Sequence, residues 1–434
     1  MLPATFADNG DAGRRRPAGG LAGVEPRAAS IPLSCLHEVF GAAEAWELEV
    51  GRPVIRLHVG EPAFPAPPEA AEALGAAASD GRTSYTAAEG MPELRSALAA
   101  KLEAANGHRT RGDLVFVTPG SCQGIAAVLH SIAVSGGELL LPELHWPIHL
   151  QQCLLAGLRP VFYPLRADFG PDLDALAAAG GSSTIAVLVN SPANPSGAVL
   201  GEETLTAILE LAHSRGWHVI SDEAYEDFVY EGVHVSMAAL EAGLPETARR
   251  VSSTFTFSKS YAMTGYRLGY VAVPHARAAR ALRAVQEASI VAPSTPVQYA
   301  GLAALATRRT LAQNRASAQA GRDLIVDRLG GTSLLRHVPA GGWYALADVG
   351  GSGLDAERFA ARFLREHDVA VAPGGGFALR PVLTRDGGVS AVEAAASART
   401  LIRLAFCGDL DLLARGLDRL VAFAGTVGLV GSTS

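Results

Sequence analysis

Short apolar runs alternate with segments of helical spacing through most of the first 300 residues, and this alternation predicts the fold. The strand-like runs cover residues 114–117, 139–141, 185–189, 217–221 and 268–273. Strands that are apolar throughout and separated by helices are typical of a parallel sheet that is covered on both faces. We therefore predict an α/β fold with a mostly parallel sheet and helices on both faces. In such sheets, ligands bind beyond the carboxyl ends of the strands.

The hydrophobic pattern changes at about residue 305 and divides the chain into a large and a small domain. A long helical stretch, strand-like runs at 342–346, 369–373 and 401–406 and a final helix at 409–425 predict a smaller α+β domain. Residues 1–29 are rich in Gly, Ala, Arg and Pro without periodicity, which favours a disordered leader. The predicted organisation is a leader at 1–29, an N-terminal segment at 30–70 that packs with the small domain, a large domain at 71–305 and a small domain at 306–434.

Residues 380–400 carry no clear pattern and precede the strand that contains Arg403. We expect this stretch to be either a flexible flap over the functional site or a disordered insertion. Arg380 within it either contacts an acidic side chain or lies in solvent.

Charge and cysteine content exclude several classes of protein. The net charge is −7, so no basic face for nucleic acid is implied. No apolar run reaches the roughly 20 residues that span a bilayer. The four cysteines, at 35, 122, 153 and 407, show no paired spacing, which indicates a reducing compartment without disulfides or a metal site. We expect a cytoplasmic protein with no nucleic-acid, membrane or metal partner.

Lysine is almost absent from the chain. Of 36 basic residues only Lys101 and Lys259 are lysines, and the others are arginines. Arginine replaces lysine wherever only a cation is needed, but it cannot form a Schiff base. Lys101 lies in a run of helical spacing and is interpreted as part of a solvated face. Lys259 is therefore the candidate for a reactive amine.

Residues around Lys259 match what an aldehyde cofactor with a ring nitrogen and a phosphate requires. Asp222 ends an apolar strand and could pair with the ring nitrogen, while Tyr225 and Asn194 could donate to a phenolate oxygen. A phosphate needs a helix N-terminus, small hydroxyls and an arginine. Gly120 opens such a helix, and the further candidates are Ser121, Cys122, Thr256, Ser258 and Arg267. Arg403, in an otherwise apolar strand, could bind a substrate carboxylate.

Several motifs follow one another in a specific order along the chain. They are Gly60-Glu61-Pro62, Tyr85-Thr86-Ala87-Ala88-Glu89-Gly90, Asn194-Pro195-Ser196-Gly197, Ser221-Asp222-Glu223-Ala224-Tyr225, Ser258-Lys259, Gly265-Tyr266-Arg267-Leu268-Gly269, Gly341-Gly342-Trp343-Tyr344 and Arg403-Leu404-Ala405-Phe406. Together they resemble the class I/II aminotransferase family, the fold-type I enzymes that use pyridoxal 5′-phosphate (PLP). Ser196 replaces the threonine usual in that family. The resemblance covers nearly the whole chain after residue 30.

The resemblance implies a role for each candidate. Lys259 would form the Schiff base and carry the proton, and Asp222 would pair with the pyridinium nitrogen. Tyr225 and Asn194 would bind the phenolate oxygen, and Trp146 would stack on the ring. The phosphate would be held by Ser121, Cys122, Thr256, Ser258 and Arg267, with Tyr85 arriving from the partner subunit of a homodimer. Gly60, Asn194 and Arg403 would bind the substrate.

Each residue also has a structural alternative. Asp222 could cap a helix, Trp146 could be a core aromatic residue, and Cys122 could contribute only its backbone N–H. Arg403 could pair with an internal carboxylate, and Tyr85 could be a surface turn residue.

The family implies a reaction between an L-amino acid and a 2-oxo acid by ping-pong transamination. The same residues also serve PLP-dependent lyases, cyclases and oxidases of specialised biosynthesis, which act through the same quinonoid intermediate. A third hypothesis is a PLP-binding sensor without turnover. The intact lysine and arginine and the lack of a basic segment argue against it.

Overall fold

The computed structural model describes residues 27–384 and 388–429. Most of the expected leader therefore lies outside the described residues, and residues Arg27–Ser30 form a short 3-10 helix. In the described part of the chain, no helix is both long and apolar enough to cross a membrane.

Helices and strands alternate along the chain as the hydrophobic pattern predicts. The helices are α1 (Cys35–Val50), α2 (Pro68–Ser79), α3 (Pro92–Asn106), α4 (Gly120–Ile132), α5 (Pro147–Leu155), α6 (Leu173–Ala179), α7 (Glu202–Arg215), α8 (Met237–Leu240), α9 (Phe257–Ser260), α10 (Ala276–Ile290), α11 (Thr295–Leu305), α12 (Arg308–Leu329), α13 (Ala356–His367) and α14 (Leu410–Thr426). The strands are β1 (Ile55–Arg56), β2 (Val115–Thr118), β3 (Glu138–Pro142), β4 (Arg159–Tyr163), β5 (Thr184–Asn190), β6 (His218–Asp222), β7 (Val251–Thr256), β8 (Gly269–Ala272), β9 (Tyr344–Asp348), β10 (Val369–Ala370), β11 (Ala372–Pro373), β12 (Leu379–Leu383), β13 (Val389–Ala394) and β14 (Leu401–Ala405).

The central sheet has seven strands in the order β2-β8-β7-β6-β5-β3-β4. Strands β4, β3, β5, β6 and β7 pair in parallel, whereas β8 pairs antiparallel with both β7 and β2. The prediction of a mostly parallel α/β sheet is confirmed. Its register places Asn190, the last residue of β5, opposite Asp222, the last residue of β6. Both polar side chains therefore lie at the carboxyl edge of the sheet.

The C-terminal part of the chain is built around a three-stranded antiparallel sheet in the order β11-β14-β9. Its apolar residues pack with those of α12, α13 and α14 in one core. The N-terminal strand β1 pairs in parallel with β10, so residues before the large sheet contact residues after it. The single strand-like run at 369–373 divides into β10 and β11, which pair with different partners.

Residues 380–400 contain most of a two-stranded antiparallel hairpin rather than an insertion without structure. Strands β12 and β13 pair from Leu379 opposite Ala394 to Leu383 opposite Val389. Arg380 lies 3.3 Å from a Glu143 carboxylate oxygen, so it contacts an acidic side chain of the protein itself.

Two further features differ from the sequence-based interpretation. Strand β7 has no apolar pattern, because four of its six residues are Ser or Thr, yet all six are buried. Lys101 is not part of a solvated face, since its Nζ lies 2.5 Å from an oxygen of the buried Glu226 carboxylate. It also donates to Asn106 at 3.0 Å.

Candidate active site

A cavity of about 350 Å³ opens at the carboxyl ends of β5, β6 and β7. Of the residues predicted to bind the cofactor, these line it: Ser121, Cys122, Trp146, Asn194, Asp222, Tyr225, Thr256, Ser258, Lys259 and Arg267. The structure thus brings together groups that are separated by as many as 146 positions in the sequence.

Lys259 lies in α9, the single turn of helix that follows β7. Thr256 caps this turn, because its Oγ1 accepts a hydrogen bond from the Ser258 backbone N–H at 3.1 Å. The Lys259 amine donates to the Gly60 carbonyl at 3.1 Å and lies 4.8 Å from the centre of the Trp343 ring. A Cβ atom at Gly60 would lie 1.8 Å from the Tyr344 hydroxyl oxygen, so only glycine fits there while the Tyr344 ring keeps this position.

The Asp222 carboxylate is buried and held in one orientation. One oxygen lies 2.9 Å from Nε2 of His149, which is fully buried, and the other accepts from the Ala224 backbone N–H at 3.3 Å. The Trp146 ring meets the His149 ring edge to face at 5.2 Å. Asp222 is thus an oriented acceptor that can receive a hydrogen bond from a ring N–H in the cavity. It does not cap a helix, because β6 ends there in an irregular turn.

His149 and Asn190 were not identified from the sequence. His149 lies three residues after Trp146, which is the spacing that places two side chains of a helix on one face. That spacing is the signal by which it could have been found. Asn190 donates to the Asp222 carbonyl at 3.0 Å and accepts from the Asn194 backbone N–H at 2.9 Å. It therefore holds the loop after β5 against the end of β6.

The start of α4 and Arg267 form a cradle for an anion. Gly120 has φ of +76°, and a Cβ atom there would lie 2.6 Å from a terminal nitrogen of Arg267. The other terminal nitrogen of Arg267, Nη1, donates to the Thr264 carbonyl at 2.7 Å. The first backbone N–H groups of a helix have no partner within the helix and favour an anion. Burial raises the pKa of the Cys122 thiol, so this side chain is a neutral wall of the cradle.

Tyr225 and Asn194 also line the cavity. The Tyr225 hydroxyl lies 3.2 Å from the Tyr344 hydroxyl. Burial raises the pKa of Tyr225 well above its usual range, which keeps the hydroxyl protonated. The Asn194 amide oxygen accepts from Arg403 at 3.0 Å. Because a guanidinium can pair only with the oxygen, the Asn194 amide nitrogen remains as the donor towards the cavity.

Arg403 lies on β14 behind the cavity wall rather than in it. Its guanidinium also donates to the His58 carbonyl at 2.7 Å and is stacked between the rings of Tyr344 and Phe377, 4.1 and 4.4 Å from their centres. Its Nε is buried without a partner among the described residues. In that part of the chain Arg403 forms no ion pair with a carboxylate, so the internal pairing considered above is not observed.

Tyr85 does not line the cavity of its own chain. Its side chain is 85% exposed, in the loop before α3. The role expected for it, at the phosphate of a partner subunit, stays a prediction.

Comparison with known proteins places the chain among amino-group transferases. The family described as "Aminotransferase class I and II" matches residues 52–406. The probable aspartate/prephenate aminotransferase of Thermus aquaticus is 34% identical over 365 residues, which cover 82% of this chain and 93% of that protein. An aspartate aminotransferase of Rhizobium meliloti is 34% identical over 379 residues, with 83% and 91% covered.

Solved structures agree with these relatives. The aspartate aminotransferase of Thermus thermophilus with maleate superimposes with a TM-score of 0.81 at 29% identity, over 92% of this chain and 99% of that one. The aspartate aminotransferase of Thermotoga maritima gives a TM-score of 0.82 at 28% identity, over 93% and 100%. The match to the family, the relatives and the shared architecture lead to one conclusion. The chain belongs to the class I and II aminotransferases, and it moves an amino group between an amino acid and a 2-oxo acid.

Proposed function

We propose that this cavity binds PLP and that Lys259 is the residue that carries the proton in transamination. The observation that supports this most directly is that the Lys259 amine, the Asp222 carboxylate and the Arg267 guanidinium all line one cavity of about 350 Å³. These three groups suit the aldehyde, the ring nitrogen and the phosphate of PLP. When bound, PLP supplies an electron-withdrawing ring next to the substrate's α-carbon.

The polar groups of the cavity have distinct tasks in this proposal. Asp222 accepts a hydrogen bond from the ring nitrogen and keeps a proton there, while His149 holds the carboxylate in position. The Tyr225 hydroxyl and the Asn194 amide nitrogen donate to the phenolate oxygen. Lys259 removes the proton from the substrate's α-carbon and delivers it to the cofactor's C4′ carbon. The Trp146 ring lies against the ring of the cofactor.

The cradle at α4 holds the phosphate. Backbone N–H groups of the first helical turn point at the anion, Arg267 supplies the positive charge, and three hydroxyls complete the set. Those hydroxyls belong to Ser121, Thr256 and Ser258, all of which line the cavity.

The substrate carboxylate would bind Arg403 and the backbone N–H of Gly60. Arg403 is 1% exposed and lies 4.1 Å from the centre of the Tyr344 ring, so the carboxylate reaches the guanidinium only after side chains around it move. The two hydrogen bonds to Asn194 and His58 hold the guanidinium in place meanwhile.

Borohydride reduction tests the assignment of Lys259. Reduction of protein loaded with PLP, followed by proteolysis and mass spectrometry, is expected to find the cofactor on Lys259 and not on Lys101. Lys259→Ala is expected to abolish amino-group transfer from any donor to 2-oxoglutarate, whereas Lys101→Arg keeps both the ion pair with Glu226 and the activity. Full turnover in Lys259→Ala would remove the basis of the proposal.

We also infer a homodimer in which Tyr85 binds the phosphate of the partner subunit. Its 85% exposure in the single chain fits a residue that acts outside its own subunit. A hybrid dimer of one Tyr85→Phe chain and one Lys259→Ala chain distinguishes the two arrangements. If Tyr85 acts across the interface, one site of the hybrid has both native residues and about half of the wild-type activity returns. If the hybrid is no more active than the Tyr85→Phe parent, or light scattering finds a monomer, this role is wrong.

Two finer points belong to the same proposal. The names of the relatives suggest aspartate as a substrate, so aspartate is the reference donor for the assays below.

A cytoplasmic location is supported by four cysteines that are all free.

A further inference from the structure

A second cavity of about 450 Å³ adjoins the first and shares Cys122, Ile148 and Arg267 with it. Most of its other walls are apolar. They include Ile31 and Leu33 from the segment before α1, Ala126 from α4 and Leu155 from α5. A group that leaves the first cavity between Cys122 and Ile148 therefore enters an apolar space.

Each of the three glutamines in this second cavity donates one of its two amide N–H groups to an oxygen of the protein. Gln151 donates to the Pro32 carbonyl at 2.8 Å, Gln152 to the Cys122 carbonyl at 2.6 Å, and Gln123 to the Gln286 amide oxygen at 2.8 Å. The amide oxygens of Gln123 and Gln152 are buried without a partner in the described part of the chain. Both are acceptors, as a carboxylate is, so neither can bind one.

The charges also disfavour a second carboxylate. Arg267 is the one cation among the described residues that line the second cavity. It lies against Gly120 at the start of α4, where the proposed function assigns it to the phosphate. A carboxylate in the second cavity would gain no cation of its own, and it would give up water wherever it lies against the apolar walls, which is costly.

Leu33 is an apolar residue on the wall of this cavity that is largely uncovered. Its side chain is 80% exposed although it lies on the wall of a concave site. The backbone beside it is fixed, because Gln151 holds the Pro32 carbonyl. An apolar group in the cavity would cover Leu33 and remove apolar surface from water.

We propose that the second cavity receives the side chain of the amino-acid substrate and selects large apolar side chains, such as those of phenylalanine and leucine, over that of aspartate. The inference rests on the proposed function, because the substrate must first be held beside Lys259. It departs from the names of the relatives and assigns a specificity role to Ile31 and Leu33.

The test compares donors on the PLP-loaded enzyme. The kcat/KM for phenylalanine, leucine, alanine and aspartate is measured in single half-reactions from the change in cofactor absorbance, with the 2-oxo acid identified by mass spectrometry. We expect phenylalanine or leucine to exceed aspartate by about tenfold or more, in line with the selectivity of apolar pockets. A value for aspartate equal to or above both overturns the proposal.

Leu33→Arg places a cation on the cavity wall without disturbing a packed core. It is expected to lower the ratio of phenylalanine to aspartate by about tenfold or more. Leu48→Arg is the matched control, because Leu48 is 85% exposed on α1 and lines neither cavity, so its ratio and rates should equal those of wild type. An unchanged ratio in Leu33→Arg overturns the assignment.

The outcome also separates this inference from the proposed function. If alanine reacts and the value for aspartate equals or exceeds those for both phenylalanine and leucine, only the selectivity is wrong. If none of the four donors converts the bound cofactor, the proposed function fails and the selectivity falls with it.

Discussion

Gly120→Ala tests whether the cradle at the start of α4 binds the cofactor phosphate. Gly120 has φ of +76°, and the new Cβ would lie 2.6 Å from a terminal nitrogen of Arg267. Because that nitrogen is the end of a flexible side chain, the guanidinium can move away while the backbone stays. The substitution should therefore displace the charge from the cradle and leave the fold in place.

Two separate costs follow from this geometry. A residue other than glycine that adopts a left-handed backbone conformation destabilises the protein by about 1–2 kcal/mol. Displacing Arg267 removes a hydrogen bond to a charged group, which is worth about 1.5–3 kcal/mol. The second cost appears only when the phosphate is bound, and it corresponds to an increase in the Kd for PLP of about 10- to 150-fold.

Gly136→Ala isolates the second cost. Gly136 also has φ of +76°, but nothing lies within 4 Å of the position of its Cβ. Both variants should lose similar stability in thermal unfolding of the protein without PLP. In a titration with PLP followed by protein fluorescence, only Gly120→Ala should bind more weakly. Equal PLP affinity in the two variants would refute the placement of the phosphate beside Arg267.

Three more predictions concern buried polar groups. His149→Ala removes the side chain that lies 2.9 Å from the Asp222 carboxylate, and it should lower kcat/KM for every donor by about tenfold at unchanged PLP content. An unchanged kcat/KM would mean that the contact with His149 is not needed to hold Asp222 in position. Lys101→Met leaves the buried Glu226 carboxylate without a counter-ion, although Asn106 still donates to it at 2.5 Å. The free energy of unfolding, measured in urea, should fall by about 3–5 kcal/mol, whereas loss of a solvated lysine would cost almost nothing. Burial lowers the pKa of His58 and of His108 from 6.5 to about 4, so only the unfolded chain takes up these protons as the pH falls from 6.5 to 4. Stability should decrease over that range by about 3 kcal/mol for each histidine, and His108→Gln should make the decrease shallower, as measured by urea unfolding at several pH values.

The sequence predicted the central sheet and the edge that carries the site because buried parallel strands have a plain signature. Strands β5 and β6 are apolar runs that end in Asn190 and Asp222, and such runs differ clearly from amphipathic helices. Strand β7 was not recognised. Its Ser and Thr side chains are buried through contacts with neighbouring strands and helices, which a hydrophobic pattern does not report.

Other features depend on contacts between distant parts of the chain. Lys101 has the spacing of an exposed helix position, but its amine pairs with the buried carboxylate of Glu226, which lies 125 residues further along the chain. The role of His149 depends on its contact with Asp222, which lies 73 residues further along the chain. The position of Arg403 behind Tyr344 likewise follows from packing between β14 and β9, so the residue could be named from the sequence but its covered state could not.

The β12–β13 hairpin contacts the segment before α1, so substitutions in it can act on the second cavity without changing a catalytic residue. The backbone N–H of Val389 donates to the Ser30 hydroxyl, and Leu379, Leu383 and Val389 pack in the same cluster as Ile31. A surface hairpin thus supports the segment that carries Leu33. Mutations in codons 379–394 could shift donor preference while every residue assigned to PLP stays intact, which makes this hairpin a natural target for a selection library.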